Sequence, residues 1–274
     1  MKTSIKIVVK LPMTQQRFAQ NATKILKSDE SVIGLAVGGS WLSNEIDEFS
    51  DLDLILVTKE KLSTDKSKML QYASLLGDLI SAFTGEHVGE PRVLICLYDK
   101  PLLHVDIKFL TLDEFASRVE NPMLLIDRDN QLLQILDQTE AKFPYPDYQW
   151  IEDRFWTWMH YALLKIGRGE YLEALDFFGF LRMIVFGPLL HIKNNNLPRG
   201  VRKVESQLPP EDFSLLKDTV AEYNKTSLIT ALENAIALYK NLRGDLYTGN
   251  IKQNQKAEDA VMQYLAKIKH SRSE

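Results

Sequence analysis

Asp51 and Asp53 stand two residues apart in the run Asp51-Leu52-Asp53-Leu54-Ile55-Leu56-Val57. Side chains two apart on a β-strand point to the same face. The apolar residues around the pair indicate a strand that is otherwise buried. Two carboxylates on one face of such a strand are costly unless a cation compensates them. A divalent metal is the simplest candidate. Magnesium prefers oxygen ligands and commonly takes one or two carboxylates together with substrate phosphates.

Ten residues upstream, Gly38, Gly39 and Ser40 follow the apolar segment Val32–Val37. Glycines let backbone N–H groups approach a phosphate closely, because no Cβ intervenes. A helix opening at Ser40 would add free N–H groups and a favourable dipole, and the serine hydroxyl one more donor. The stretch thus offers a phosphate cradle beside an acid pair in a strand–turn–strand setting. Alone, a Gly-Gly-Ser turn or an Asp-x-Asp is common and unspecific.

Gly-Gly-Ser followed by Asp-x-Asp on a strand resembles the nucleotidyltransferase superfamily, whose fold is polymerase-beta-like. Aminoglycoside and lincosamide nucleotidyltransferases are the members most similar in layout, since they join this domain to a helical one. The resemblance implies an α+β fold: a mixed sheet with flanking helices, residues 1–143, then an all-α bundle, residues 144–274, for the substrate. It also implies a third carboxylate on a core-adjacent strand. In Leu103–Leu110, His104, Asp106 and Lys108 alternate with Val105, Ile107 and Phe109, so Asp106 is the expected third acid. His104 and Lys108 flank it as secondary candidates for a catalytic role.

The implied activity is transfer of a nucleoside monophosphate, AMP from ATP or another NTP, to a hydroxyl of a small molecule. An aminoglycoside-like antibiotic is the implied acceptor, which would make the protein a resistance determinant. Two Mg²⁺ ions would be held by Asp51, Asp53 and Asp106, and the β- and γ-phosphates by Gly38, Gly39 and Ser40. The general base stays open among Asp106 and the helical-domain acids Glu170, Glu173 and Asp176. Arg168-Gly169-Glu170 also looks like a segment of the aminoglycoside enzymes. Two other readings remain: the same chemistry on a protein or tRNA, and a nucleotide-binding sensor or antitoxin-like protein without turnover.

Composition narrows the choice. The formal net charge is −4 over 274 residues, which disfavours long nucleic acid as the main partner and suits a small, even cationic, acceptor. Cys96 is the only cysteine, so neither an intrachain disulfide nor a cysteine zinc cluster is available. The apolar run at the N-terminus is too short for a signal peptide, and no segment reads as a membrane span; the cytoplasm is the expected compartment. Oligomeric state is not legible.

The positioning elements follow from periodicity. A helix is expected over 14–26 and a strand over 32–37. After the acid pair, a long helix capped by Ser63 or Asp65 is expected to run to Phe83. Strands are expected over 92–98 and 103–110. A helix from Thr111 to Val119 and an apolar return over 124–136 complete the first part. Residues 1–10 read as an alternating strand or arm. Phe143-Pro144-Tyr145-Pro146 marks the boundary, since two close prolines cannot sit inside a helix. Beyond it five helical stretches are expected, at 148–168, 170–193, 210–223, 228–243 and 253–269. Trp156, Trp158, His160 and Tyr161 form an aromatic stripe read mainly as core, as are Met183 and Phe186; the tail after 268 is expected to fray.

Overall fold

The computed structural model describes residues 13–43 and 45–270. The alternating segment at 1–10 and the last four residues of the tail lie outside that range. The chain divides after Phe143 into two compact units.

The first unit is built on one six-stranded sheet in the order β3-β4-β5-β2-β1-β6. The strands are β1 Val32–Val37, β2 Leu52–Thr58, β3 Asp78–Gly85, β4 Glu90–Asp99, β5 Leu103–Leu110 and β6 Met123–Asp127. Only β2 and β5 run parallel; the other neighbours are antiparallel. Strict alternation along β2 and β5 divides the core in two. Leu52, Leu54, Leu56, Val105, Ile107 and Phe109 face a cluster that includes α1 (Met13–Leu26) and α2 (Lys66–Leu76). Val57 and Leu110 face a smaller cluster built with α3 (Leu112–Phe115) and α4 (Gln131–Gln138). Gly34 explains how α4 comes so close: a Cβ there would lie 2.5 Å from the Leu132 side chain.

Local chemistry sets the ends. Asp65 caps α2, its carboxylate accepting from the N–H groups of Ser67 and Lys68. The helix stops at Gly77, earlier than the periodicity suggests. Leu79, Ile80 and Phe83 instead lie on β3, an edge strand hairpinned to β4. Gly77 lies against Tyr98, a Cβ there reaching within 3.1 Å of Cδ1, so the chain turns where a longer helix would clash. The helix expected to reach Val119 is likewise only α3, which opens on a Thr111–Glu114 capping box and ends at Phe115.

The second unit is all helical: α5 Tyr148–Arg168, α6 Tyr171–Leu181, α7 Gly187–Lys193, α8 Val204–Gln207, α9 Pro210–Lys217, α10 Lys225–Leu246 and α11 Gln255–His270. Asp147 caps α5, and Gly169 ends it in the left-handed region at φ 77°. A π-turn over Arg182–Phe186 joins α6 to α7 without a break, beside Pro188, whose missing N–H cannot complete a regular ladder. Within the core, Phe155 stacks on Tyr239 at 3.6 Å. The Tyr239 hydroxyl donates to the buried Glu152 carboxylate at 2.6 Å. Trp156 and Phe186 are core as expected, but Met183 is half exposed.

Tyr171–Lys193 is long and apolar enough to cross a membrane by length and composition, which corrects the expectation that no segment is. Half of it is buried inside the unit, as in the core helix of a bundle. The α+β first part and all-α second part match the expected fold class. Phe155→Ala should remove the ring stacked on Tyr239 and destabilise this unit by about 3–5 kcal/mol, read by thermal or denaturant unfolding.

Candidate functional site

β1 is buried along its whole length and delivers the chain to Gly38. Its antiparallel partner β2 sets Leu54 opposite Val37, and the Gly38 N–H donates to the Asp53 carbonyl at 3.0 Å. The chain then turns through a three-residue 3₁₀ helix, Gly39–Trp41, rather than opening a longer helix at Ser40. Ser40 is half exposed on that turn.

Gly39 has φ +62°, and a Cβ there would fall 1.9 Å from Asp53 Oδ2. The Asp53 carboxylate therefore lies directly against the glycine turn. Both constraints demand glycine: the left-handed backbone and the missing side chain. The sequence placed these groups ten residues apart or more; the β1–β2 hairpin makes them one site.

Parallel pairing of β2 with β5 sets Asp53 beside Asp106. Neighbouring residues in register on adjacent strands project to one face, so the two aspartates share a side of the sheet. Asp51 precedes β2 by one residue and is half buried. It borders an open hollow of about 370 Å³ together with Phe49, Leu97 and His104. Gln15 of α1 holds the segment that leads into it: its buried side chain donates to Ser50 O at 2.8 Å and Asp47 O at 3.3 Å.

His104 Nε2 lies 2.9 Å from Asp106 Oδ1, an ion pair when the ring is protonated. Lys108, the other neighbour on that face, pairs instead with Glu90 at 2.8 Å. Arg92 takes the same Glu90 oxygen at 2.7 Å. The Arg92 hydrogen bond, aided by Lys108 and opposed by burial, holds the Glu90 carboxyl at a pKa of about 2.

Among the described residues, no three of His, Cys, Asp and Glu stand together as a ready metal site. What the backbone supplies is the right donor type, carboxylate oxygens, at neighbouring positions. Like charges set directly beside one another on adjacent strands repel, and a cation held between them would offset that cost. Asp53 and Asp106 are thus the neighbouring carboxylates whose oxygens a hard divalent ion would take, with Asp51 one residue before β2.

Two of the helical-unit acids named for proton transfer, Glu170 and Glu173, are already engaged. Lys165 Nζ lies 2.8 Å from Glu170 and 2.9 Å from Glu173. The Tyr161 hydroxyl also donates to Glu173, and that bond is the largest cause of a carboxyl pKa below the usual range. A carboxylate so stabilised is a weaker base. Asp176 is exposed.

Two participants escape a reading of the sequence. Gln15 is one polar residue on an amphipathic helix, with nothing to mark its reach. The other is Glu120, whose Oε1 accepts the Gly39 N–H at 2.7 Å. An isolated acid in an irregular segment gives no signal by type or spacing.

No known protein family matches the sequence, and no curated protein does either. Solved structures similar to the chain include an aminoglycoside 6-adenyltransferase from Bacillus subtilis. It is 16% identical, and the match covers 95% of this chain and 100% of that one with a TM-score of 0.38. A nucleotidyltransferase-like protein from Exiguobacterium sibiricum 255-15 is 12% identical, covering 91% and 89%, with a TM-score of 0.39.

Two outcomes check this geometry. Gly39→Ala should destabilise the first unit by about 1–3 kcal/mol and displace Asp53, since it combines a left-handed backbone with a clash. Thermal unfolding reads the loss. Glu90 has a depressed folded pKa, so its contribution is complete above its ordinary 4.5 and is lost as pH falls toward about 2. The shift implies roughly 3 kcal/mol, which solvent screening should reduce to about 1–2. Glu90→Gln should lose that much at neutral pH and show a flatter acid unfolding profile.

Proposed function

We propose that the protein is a nucleotidyltransferase that moves a nucleoside monophosphate from an NTP to a hydroxyl group of a small molecule. One observation carries the reading: the Asp53 carboxylate packs against Gly39 at positive φ, with Asp106 in register on the next strand. A glycine turn that can receive phosphate and an acid pair that can receive cations thereby meet within one hairpin and its neighbour.

In this reading Asp51, Asp53 and Asp106 hold Mg²⁺, which when bound neutralises the triphosphate and lowers the pKa of the acceptor hydroxyl. The backbone N–H groups of Gly39 and Ser40, beside the Cβ-free Gly38, orient the β- and γ-phosphates. The acceptor oxygen attacks the α-phosphorus in line. A new P–O bond forms as the bond to the β-phosphate bridging oxygen breaks, and pyrophosphate carries off that electron pair. Most of the rate enhancement comes from positioning and charge neutralisation. We assign the hydroxyl proton to Asp106, which His104 holds at 2.9 Å.

ATP is the proposed donor, and the helical residues 144–274 are the proposed acceptor-binding part. An aminoglycoside-like acceptor is the finer proposal; it comes from the sequence resemblance and fits the net negative charge. The cytoplasm, where NTP is made, is the proposed compartment.

The test is pyrophosphate release from ATP and Mg²⁺ across a panel of aminoglycosides and other polyols. Release should depend on one acceptor class and fall about 100- to 1000-fold in Asp53→Asn, with the unfolding temperature retained. Label from ATP appearing on protein or RNA would replace the small-molecule acceptor. An absence of both release and nucleotide binding would sink the transferase reading altogether.

A further inference from the structure

Glu120 lies in the irregular segment 116–122, between α3 and β6. Its Oε1 accepts the Gly39 N–H at 2.7 Å and lies 3.1 Å from where a Cβ on Gly38 would stand. One carboxylate oxygen therefore rests on both glycines of the turn. Asp53 meets Gly39 as well. The turn assigned above to phosphate already carries an anion, and that anion belongs to the chain itself.

The register explains the placement. β1 and β6 are antiparallel with Val37 opposite Met123, so the chain leaving Val37 runs beside the chain arriving at Met123. Pro122 has no N–H with which to continue the ladder. Pairing ends there, and the Gly39 N–H finds a side chain in place of a backbone carbonyl. Arg118 anchors the same segment from its other end. Its guanidinium donates to Asn121 Oδ1 at 2.7 Å, to Thr139 Oγ1 at 2.5 Å and to Thr139 O at 2.6 Å. Glu120 is thus carried on a short segment with one fixed foot at Arg118 and the other at the start of β6.

A carboxylate oxygen and a phosphate oxygen offer a backbone N–H the same acceptor. They cannot both use it, and their negative charges oppose each other. We propose that Glu120 stands in for a phosphate of the nucleotide: it keeps the Gly38–Gly39 turn shaped to receive an anion and withdraws when the triphosphate enters. This rests on the nucleotide-binding role of the turn and adds to it a residue that sets affinity for the triphosphate. Nucleotide must displace a charge-assisted hydrogen bond before it gains its own, so the observed affinity is lower than the empty turn would give. A ligand that brings several phosphates and a divalent cation overcomes that competition better than a monophosphate does.

Calorimetry on the full chain tests this with two probes, magnesium tripolyphosphate and magnesium ATP. Tripolyphosphate lacks base and sugar and reads the phosphate site alone. Glu120→Ala removes the competing anion and should bind tripolyphosphate about tenfold tighter than the wild type. Glu120→Gln keeps a neutral acceptor for the Gly39 N–H and should also bind more tightly, by a smaller factor. It decides the question should Glu120→Ala fail to fold, which thermal unfolding will tell. Wild-type binding of ATP with unchanged or weaker tripolyphosphate binding in the folded variants would overturn the role of Glu120 and leave the nucleotide site standing. Failure of the wild type and both variants to bind ATP would overturn the nucleotide site itself, and Glu120 with it.

Discussion

The contact between the Asp53 carboxylate and the bare α-carbon of Gly39 is the constraint on which the first unit's site depends. It binds the end of one strand to the start of another and leaves no room for a side chain at residue 39. It also fixes where an acid can stand: on the face of β2 opposite the large cluster with α1 and α2, at the edge of the smaller one with α3 and α4. Were the turn built from any other residue, the carboxylate would have to swing away. The parallel pairing of β2 with β5 then adds Asp106 alongside without any further device.

Parallel pairing within a mostly antiparallel sheet decides which acids become neighbours. An antiparallel neighbour would run its chain the other way, so an acid beside Asp53 would belong to a strand leaving the site. Reaching a parallel partner requires a crossover, and α2 with the β3–β4 hairpin supplies it. The hairpin is thus more than an appendage. It returns the chain so that β5 starts at the same end of the sheet as β2, and Asp53, the second residue of β2, comes beside Asp106 in the middle of β5.

Much of this arrangement was legible in the residues. β1, β2 and β5 were fixed by apolar runs and alternation, α5 by its periodic stripe, and the acid pair by its two-residue spacing. Asp106 came from the family resemblance, which implies a third acid, applied to the polar face of an otherwise apolar strand. What failed did so for tertiary reasons. The apolar run Leu79–Phe83 keeps a spacing compatible with a helix, and only the approach of Gly77 to Tyr98 and the hairpin to β4 make it a strand. Met183 fits the helical stripe, yet the π-turn over Arg182–Phe186 shifts the phase of the helix there and leaves it half exposed. Gln15 and Glu120 act over long separations through single hydrogen bonds, which leave no pattern in the chain.

Glu90 has a meaning beyond the ion pairs it makes. Lys108 stands one pleat along from Asp106 on the same face, and an ammonium there could reach toward the aspartate and mask it. Because Glu90 draws Lys108 and Arg92 to itself, both positive charges are tethered toward the far end of β5. Lys108 and Arg92 are thereby paired with an acid outside the Asp53–Asp106 register pair.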